Sequence, residues 1–238
     1  WSYNRRSSAS VNKREGYLIV LLAWVFMTIF GALPYYFSGV CGITDSIFES
    51  MSGLTTTGAS IFTDIEGLSH GMLLWRSLSQ WIGGMGIIVL TIALFPLLGI
   101  GGIELFVAES PGPTSTKIHP RIKETAKSLW ILYCGFTTLL SVILYFEGME
   151  GFDALNHGLT TMATGGFSTK NASIAHFNSP LIEYTISFFM LLAGTNYAVI
   201  YLMLKGKFKL SWKNDEFRFY IRLLIGLALL LTLAIFNV

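Results

Sequence analysis

Five long apolar stretches set the rhythm of the chain, over residues 16–37, 72–98, 126–146, 181–204 and 220–238. Each of the first four is close to or above the ~20 helical residues needed to cross a bilayer core. The first ends at Leu33-Pro34, a pair that suits a helix stopping at an interface. The fifth is expected to begin a further unit, with more chain beyond it. Between the spans the pattern changes character. Residues 45–54 and 153–162 are mildly apolar stretches too short to cross as helix, so they can only dip in and return.

Composition agrees with the bilayer as solvent. Hydrophobic residues make up 53% of the chain, charged residues 13%, and the mean hydropathy is +0.59. A soluble domain of this size could not keep so much apolar surface inside. The net charge of +2 says little, but the sixteen Lys and Arg residues are clustered. All except Arg76 and Lys170 fall in three stretches, around Arg5 to Arg14, Lys117 to Lys127 and Lys205 to Arg222. The segments between carry Asp45, Glu49, Asp64 and Glu66, or Glu147, Glu150 and Asp153. By the tendency of basic loops to stay inside, the basic stretches are cytoplasmic and the acidic segments face outward.

The chain also repeats itself. A gapless shift of 108 residues lays Asp45 on Asp153, Ile47 on Leu155, Met51 on Leu159, Leu54 on Met162, Thr56 on Thr164, Gly58 on Gly166, Ser60 on Ser168 and Gly86 on Gly194. Both copies start on the basic side, so the repeat is parallel and suits units around an axis along the membrane normal. The expected fold is an all-α polytopic membrane protein of repeated units. Each unit is a span, a re-entrant pore helix with a filter loop, and a second span, and the units are parallel repeats around a pore axis. The units divide the chain into a basic segment 1–16, a first unit 17–98, a loop 99–125, a second unit 126–204, a basic loop 205–219 and the start of a third unit, 220–238.

The chemistry sits after each short helix. Asp45 and Asp153 are expected N-caps. The helices run into Thr55-Thr56-Thr57-Gly58-Ala59-Ser60 and Ala163-Thr164-Gly165-Gly166-Phe167-Ser168. Non-helical backbone at membrane depth is tolerated only where it is buried in protein or lines water. Glycine takes positive φ without penalty and lets successive carbonyls point one way. A row of such carbonyls can replace the water shell of a dehydrated cation, and the C-terminal end of a helix adds partial negative charge. An ordinary loop with threonines capping the next span is the alternative for one copy, and the second copy disfavours it.

These stretches, together with Phe48-Glu49-Ser50-Met51-Ser52-Gly53-Leu54, Gln80-Trp81-Ile82-Gly83-Gly84-Met85-Gly86-Ile87 and Gly99-Ile100-Gly101-Gly102, resemble the Trk, Ktr and HKT superfamily of potassium transporters, most closely the bacterial TrkH-type membrane subunits. The resemblance spans nearly the whole chain and implies four units around one pore, of which two are present here. It implies that Thr55, Thr56, Thr57, Gly58, Ala163, Thr164, Gly165 and Gly166 form part of a selectivity filter. Potassium would be held at Thr56, Thr57, Gly58, Ala163, Thr164 and Gly165, as bound substrate with no covalent cofactor. Gly58 stands where related plant members carry glycine in association with potassium over sodium. The resemblance further implies a homodimer, a cytoplasmic nucleotide-binding regulatory subunit, and the bacterial inner membrane, with no enzymatic activity and no nucleic-acid partner. A sodium-selective or sodium-coupled member of the same fold and a non-conducting scaffold are the competing readings.

Other residues carry weaker signals. Gly83-Gly84-Met85-Gly86 lies inside a span and lacks the strand and lysine of a nucleotide loop, so close helix packing is expected. Arg76 is expected to be an interfacial anchor, with a pairing to Glu49 as the alternative. His157 takes the repeat position of Glu49 and is expected to make a structural hydrogen bond. His70, His119 and His176 read as loop residues without matching ligands, and Cys41 and Cys134 as small buried side chains.

Overall fold

The computed structural model describes the backbone of residues 13–98 and 118–236, and the side chains within residues 15–86 and 127–235. Residues 1–12 of the expected basic segment and residues 99–117 of the expected loop lie outside the described residues, while Lys13 and Arg14 already belong to the first helix. Every regular element described is helical. The order is α1 (Lys13–Phe37), α2 (Ile43–Leu54), α3 (His70–Leu98), α4 (Ile118–Phe146), α5 (Gly151–Met162), a 3-10 turn (Ser173–Phe177), α6 (Pro180–Ala193), α7 (Tyr197–Leu204), α8 (Phe208–Lys213) and α9 (Asp215–Phe236).

Among the described residues three helices, over Tyr17–Phe37, Lys127–Phe146 and Asp215–Ile235, are long and apolar enough to cross a membrane, and α6 with α7 qualifies as a bent pair. Leu18, Leu21 and Phe30 on α1 and Leu229, Leu230 and Ile235 on α9 are openly exposed, a surface that only lipid or further protein would cover. Helix α4 begins at Ile118 where the hydropathy pattern placed a span from about 126. Hydropathy marks where lipid begins, whereas a helix can continue into water. For the same reason His119 falls on a helix, and His70 opens α3.

The stretch expected as one fourth span is broken. Helices α6 and α7 meet at an angle of 103°. Gly194 caps the end of α6, and the Asn196 side chain accepts the Ala198 N–H at 3.0 Å to start α7. Tyr220 occupies the elbow, donating its hydroxyl to the Leu191 carbonyl at 3.3 Å. A Cβ on Gly194 would stand 2.5 Å from that hydroxyl, so the glycine makes room for the tyrosine.

The short helices are wedged between the spans: α2 packs on α1 and α3, and α5 packs on α4, α3 and α6. Helix α3 thereby joins the two units. Trp81 stacks on Tyr133 with ring centroids 5.4 Å apart. Its indole N–H donates to Thr137 Oγ1 at 3.0 Å, and the Tyr133 hydroxyl donates back to the Trp81 carbonyl at 3.0 Å. Met85 of α3 enters the core that Leu140, Leu144, Met162, Ile186 and Phe189 build in the second unit. Cys41 and Cys134 are half-buried rather than buried, Cys41 just beyond the end of α1 and Cys134 on α4.

The glycine run on α3 packs as expected at its first two positions. A Cβ on Gly83 would fall 1.9 Å from the Leu54 carbonyl oxygen at the end of α2, and one on Gly84 would fall 3.1 Å from Ala163 Cα at the end of α5. One face of α3 thus receives the ends of both short helices. Among the described residues Gly86 meets nothing within 4 Å. We therefore expect Gly83→Ala to destabilise the protein by about 1–3 kcal/mol through backbone overpacking, and Gly86→Ala to leave it as stable or slightly more so. Thermal unfolding in detergent checks both, and a Gly83→Ala variant as stable as the parent would contradict the packing described.

Candidate functional site

Helix α2 stops in a cap made by its own continuation. Thr56 N–H donates to the Gly53 carbonyl at 3.0 Å and Thr57 N–H to the Ser52 carbonyl at 2.9 Å, with Thr55 as C-cap. This pair of backward bonds is a Schellman motif, which needs a left-handed residue just after the cap. That residue is Thr56, with φ 54°. Helix α5 ends identically: Thr164 N–H reaches the Thr161 carbonyl and Gly165 N–H the Thr160 carbonyl, both at 3.0 Å, with Thr164 at φ 56°. Glycine is usual at this position. A β-branched residue there is a genuine outlier, costing about 1–3 kcal/mol.

The backward bonds have a consequence for the carbonyls. Among the described residues all peptide bonds are trans, so the C=O of each peptide unit points opposite to its N–H. The N–H groups of Thr56, Thr57 and Gly58 turn toward the end of α2, the last at 3.4 Å from the Ser52 carbonyl. The carbonyls of Thr55, Thr56 and Thr57 accordingly face away from it. In the second copy the same holds for Ala163 and Thr164. Among the described residues no hydrogen bond is directed at the carbonyls of Thr56, Thr57, Gly58, Thr164 or Gly165. The Ala163 carbonyl accepts the Thr164 hydroxyl at 2.7 Å. Two residues beyond each strained threonine, Gly58 and Gly166 take φ 76° and 81°, which turns the strip outward again at no steric cost.

The two strips touch. A Cβ on Gly58 would lie 1.9 Å from the Gly165 carbonyl oxygen. Of the residues singled out by sequence, Thr57, Thr164 and Gly166 are exposed, Thr55, Thr56 and Gly58 half-buried, and Ala163 and Gly165 buried. The strips therefore present a partly open row of unpartnered carbonyls along a seam between the units.

Behind the seam lies a charge pair that corrects the expected role of Arg76. The residue is not an interfacial anchor. It is 1% exposed and its partner Glu49 is 0% exposed. Arg76 Nε donates to Glu49 Oε1 at 2.9 Å, Nη2 to Ser60 Oγ at 3.0 Å and Nη1 to the Ser168 carbonyl at 3.2 Å. The guanidinium lies over the Phe167 ring at 4.2 Å from its centroid. Glu49 also accepts the Ser60 hydroxyl at 2.9 Å and the Ile61 N–H at 3.0 Å. One ion pair thus holds the outgoing limbs of both strips. Hydropathy could not show this, since a lone arginine at a span edge looks the same whether it snorkels or turns inward.

The second unit solves the same problem with a histidine. His157 Nε2 lies 3.0 Å from Ser168 Oγ and Nδ1 lies 2.8 Å from the Asp153 carbonyl, the structural bonding expected of it. The Ser60 and Ser168 hydroxyl oxygens each accept an N–H two residues on, from Phe62 at 3.2 Å and Lys170 at 3.0 Å. The repeat is thus kept in its hydrogen bonds. Neither Asp45 nor Asp153 is an N-cap: Gly42 and Glu150 hold those places without side-chain bonds. Both aspartates sit in the first helical turn, where the macrodipole favours negative charge. Asp153 also accepts the Thr169 hydroxyl at 2.7 Å and pairs with Lys170 Nζ at 3.4 Å.

Sequence reasoning missed two further ties. Gln80 Oε1 accepts the Phe167 N–H at 3.2 Å. Asn171 accepts the Ile65 N–H on its side chain at 2.8 Å and donates its own N–H to Glu66 Oε1 at 3.2 Å, joining the outer segments. Gln80 lies in a quoted motif, but nothing in its spacing says which way it points.

The family model for TrkH, described as a cation transport protein, matches residues 1–238. The chain belongs to the TrkH family. It is 45% identical to the Trk system potassium uptake protein TrkH of Escherichia coli strain K12, over 99% of this chain and 50% of that protein. It is 34% identical to TrkG of the same organism, over 100% of this chain and 50% of that protein. The crystal structure of the potassium transporter TrkH from Vibrio parahaemolyticus matches with a TM-score of 0.82 and 38% identity, covering 95% of this chain and 46% of that one. This TrkH-family chain therefore spans about half the length of the curated relatives it matches.

Removing one member of a buried pair strands the other as an uncompensated charge. Glu49→Gln and Arg76→Met are each expected to lose about 3–5 kcal/mol of stability, while the double variant loses much less than the sum. A double-mutant cycle on the thermal unfolding of the membrane protein reads this directly. Additive losses would show that the two charges are not coupled.

Proposed function

We propose that this chain supplies half of a potassium-conducting pathway, with the strips 55–58 and 163–166 as two walls of a selectivity filter. The observation that carries the reading is the pair of backward-bonded caps, which turn the Thr56, Thr57 and Thr164 carbonyls away from the helix ends, beside the Gly58 and Gly165 carbonyls that likewise receive no hydrogen bond among the described residues. Such oxygens, set at the negative ends of α2 and α5, offer what a dehydrated potassium ion needs. Ala163 contributes a sixth oxygen at the base of the second strip, shared with the Thr164 hydroxyl. Relatives named as potassium uptake proteins support the choice of ion, and their doubled length supports two further units closing the ring.

In this reading the units run 17–98 and 126–204, and 220–238 belongs to the next. The basic stretches lie in the cytoplasm and the strips face the outside of the bacterial inner membrane. The membrane subunit pairs as a homodimer and meets a nucleotide-binding regulatory subunit at the basic face. Ions pass without any covalent step, and potassium is substrate rather than cofactor.

Gly58 gives the test. A side chain there meets both a positive φ and the Gly165 carbonyl, so Gly58→Ser must displace one strip against the other. In the complete polypeptide, reconstituted in vesicles, Gly58→Ser is expected to lower the potassium-to-sodium flux ratio about tenfold or more, the equivalent of about 1.4 kcal/mol. An unaltered ratio would remove the filter assignment. Parental flux that favours sodium would instead place the chain with sodium-selective relatives, and failure to restore growth to a potassium-uptake-deficient cell would favour a scaffold.

A further inference from the structure

Gln80 projects from α3 into the seam where the strips meet. It is 0% exposed. Its Oε1 is engaged by the Phe167 N–H at 3.2 Å, immediately after Gly166. Its Nε2 has no partner among the described residues. That nitrogen would lie 2.7 Å from a Cβ on Gly165 and 3.7 Å from a Cβ on Gly58. The same carboxamide therefore abuts both strips, one glycine on each side. Gly165 has no positive φ to explain it. Its Cβ would stand 2.3 Å from the Gln80 Cδ and Oε1, so the residue is glycine because the amide occupies the space.

We propose that Gln80 is a specificity-determining positioning residue, whose carboxamide sets the spacing and tilt of the two strips and through them the choice of ion. The proposal rests on reading the strips as a filter. Buried amide donors are nearly always bonded, and this one is aimed at a seam lined by carbonyl oxygens. A neutral hydrogen-bonding side chain suits the place. A charge here would compete with the cation or bind it too tightly, whereas an amide braces the backbone without altering the field. Ion discrimination by carbonyls depends on how many oxygens reach the ion and how firmly they are held. The second unit does not repeat the brace, because the repeat position of Gln80 is Phe188, an exposed ring on α6.

The experiment uses the complete transporter in vesicles and compares potassium, sodium and rubidium fluxes for Gln80→Met, Gln80→Asn and Gly58→Ser. Met keeps the length and loses both polar groups, while Asn keeps the amide but withdraws it by one methylene. Both are expected to lower the potassium-to-sodium ratio about five- to tenfold while total cation flux per molecule is retained. If Gln80→Met fails to accumulate in the membrane, Gln80→Asn carries the same test. A ratio unchanged in the Gln80 variants but lowered in Gly58→Ser would overturn the role given to Gln80 and leave the filter standing. Equal losses of all three fluxes in the Gln80 variants would likewise reduce Gln80 to a packing residue. An unchanged ratio in all three variants would sink both readings together.

Discussion

A peptide unit cannot aim its N–H and its C=O in the same direction, and the site is built on that rigidity. Once the N–H groups of Thr56, Thr57 and Gly58 bend back onto the last turn of α2, their paired carbonyls have to face forward. The bend satisfies helix-end carbonyls that would otherwise be stranded in a low-dielectric surrounding. It leaves a different set unsatisfied, and that set is ordered, adjacent and repeated at α5. Threonine stands at φ 54° and 56° in both copies, where a glycine would sit more easily; the Thr164 hydroxyl donates to the Ala163 carbonyl, and on either side of Thr56 the hydroxyls of Thr55 and Thr57 lie 2.8 Å apart.

Strips of this kind do not hold themselves. Each consists of a few residues with no ladder of its own, so its shape is imposed from behind. Helix α3 imposes it, through Gly83 and Gly84 against the helix ends, Gln80 against the seam, and Arg76 against the outgoing limbs. Burying the Arg76–Glu49 pair is costly in itself, and the cost is offset by the number of bonds it gathers: Ser60, Ile61 and Ser168 all attach to it. A hydrophobic pair could fill the space but could not cap a carbonyl, a hydroxyl and an N–H from two different strips. The unit-two counterpart, His157, attaches to Ser168 alone within its strip, which suffices because Thr169 and Lys170 are fixed separately by Asp153.

Much of this was legible beforehand, for definite reasons. Span length, basic clustering and the 108-residue repeat are one-dimensional signals, and they led to the all-helical units and to the two strips. Gly58 and Gly166 were readable because positive φ leaves a glycine in the sequence. Thr56 and Thr164 stand out as candidate residues through the repeat, but their left-handed backbone does not, since a β-branched residue is among the last that propensity would put there. Direction was the commonest thing lost. Arg76, Gln80 and Asn171 could each face lipid, water or protein on the sequence pattern, and only packing decides. The break at Gly194-Thr195-Asn196 falls on three poor helix formers in a row, but the apolar residues on either side read as one continuous span.

The two units are not interchangeable, and the difference has a direction. Helix α3 carries Arg76 and Gln80 toward the strip of the next unit. At the same register α6 carries Tyr184 and Phe188, which are 77% and 57% exposed. By the repeat, α6 stands toward whatever follows the second unit as α3 stands toward the second. A ring completed under the proposal above would then brace one junction with an ion pair and an amide and another with aromatic rings. At the polar junction the backbone groups are bonded from behind by Arg76 and Gln80, whereas Tyr184 and Phe188 offer a following unit ring faces and one hydroxyl in place of a charge and an amide.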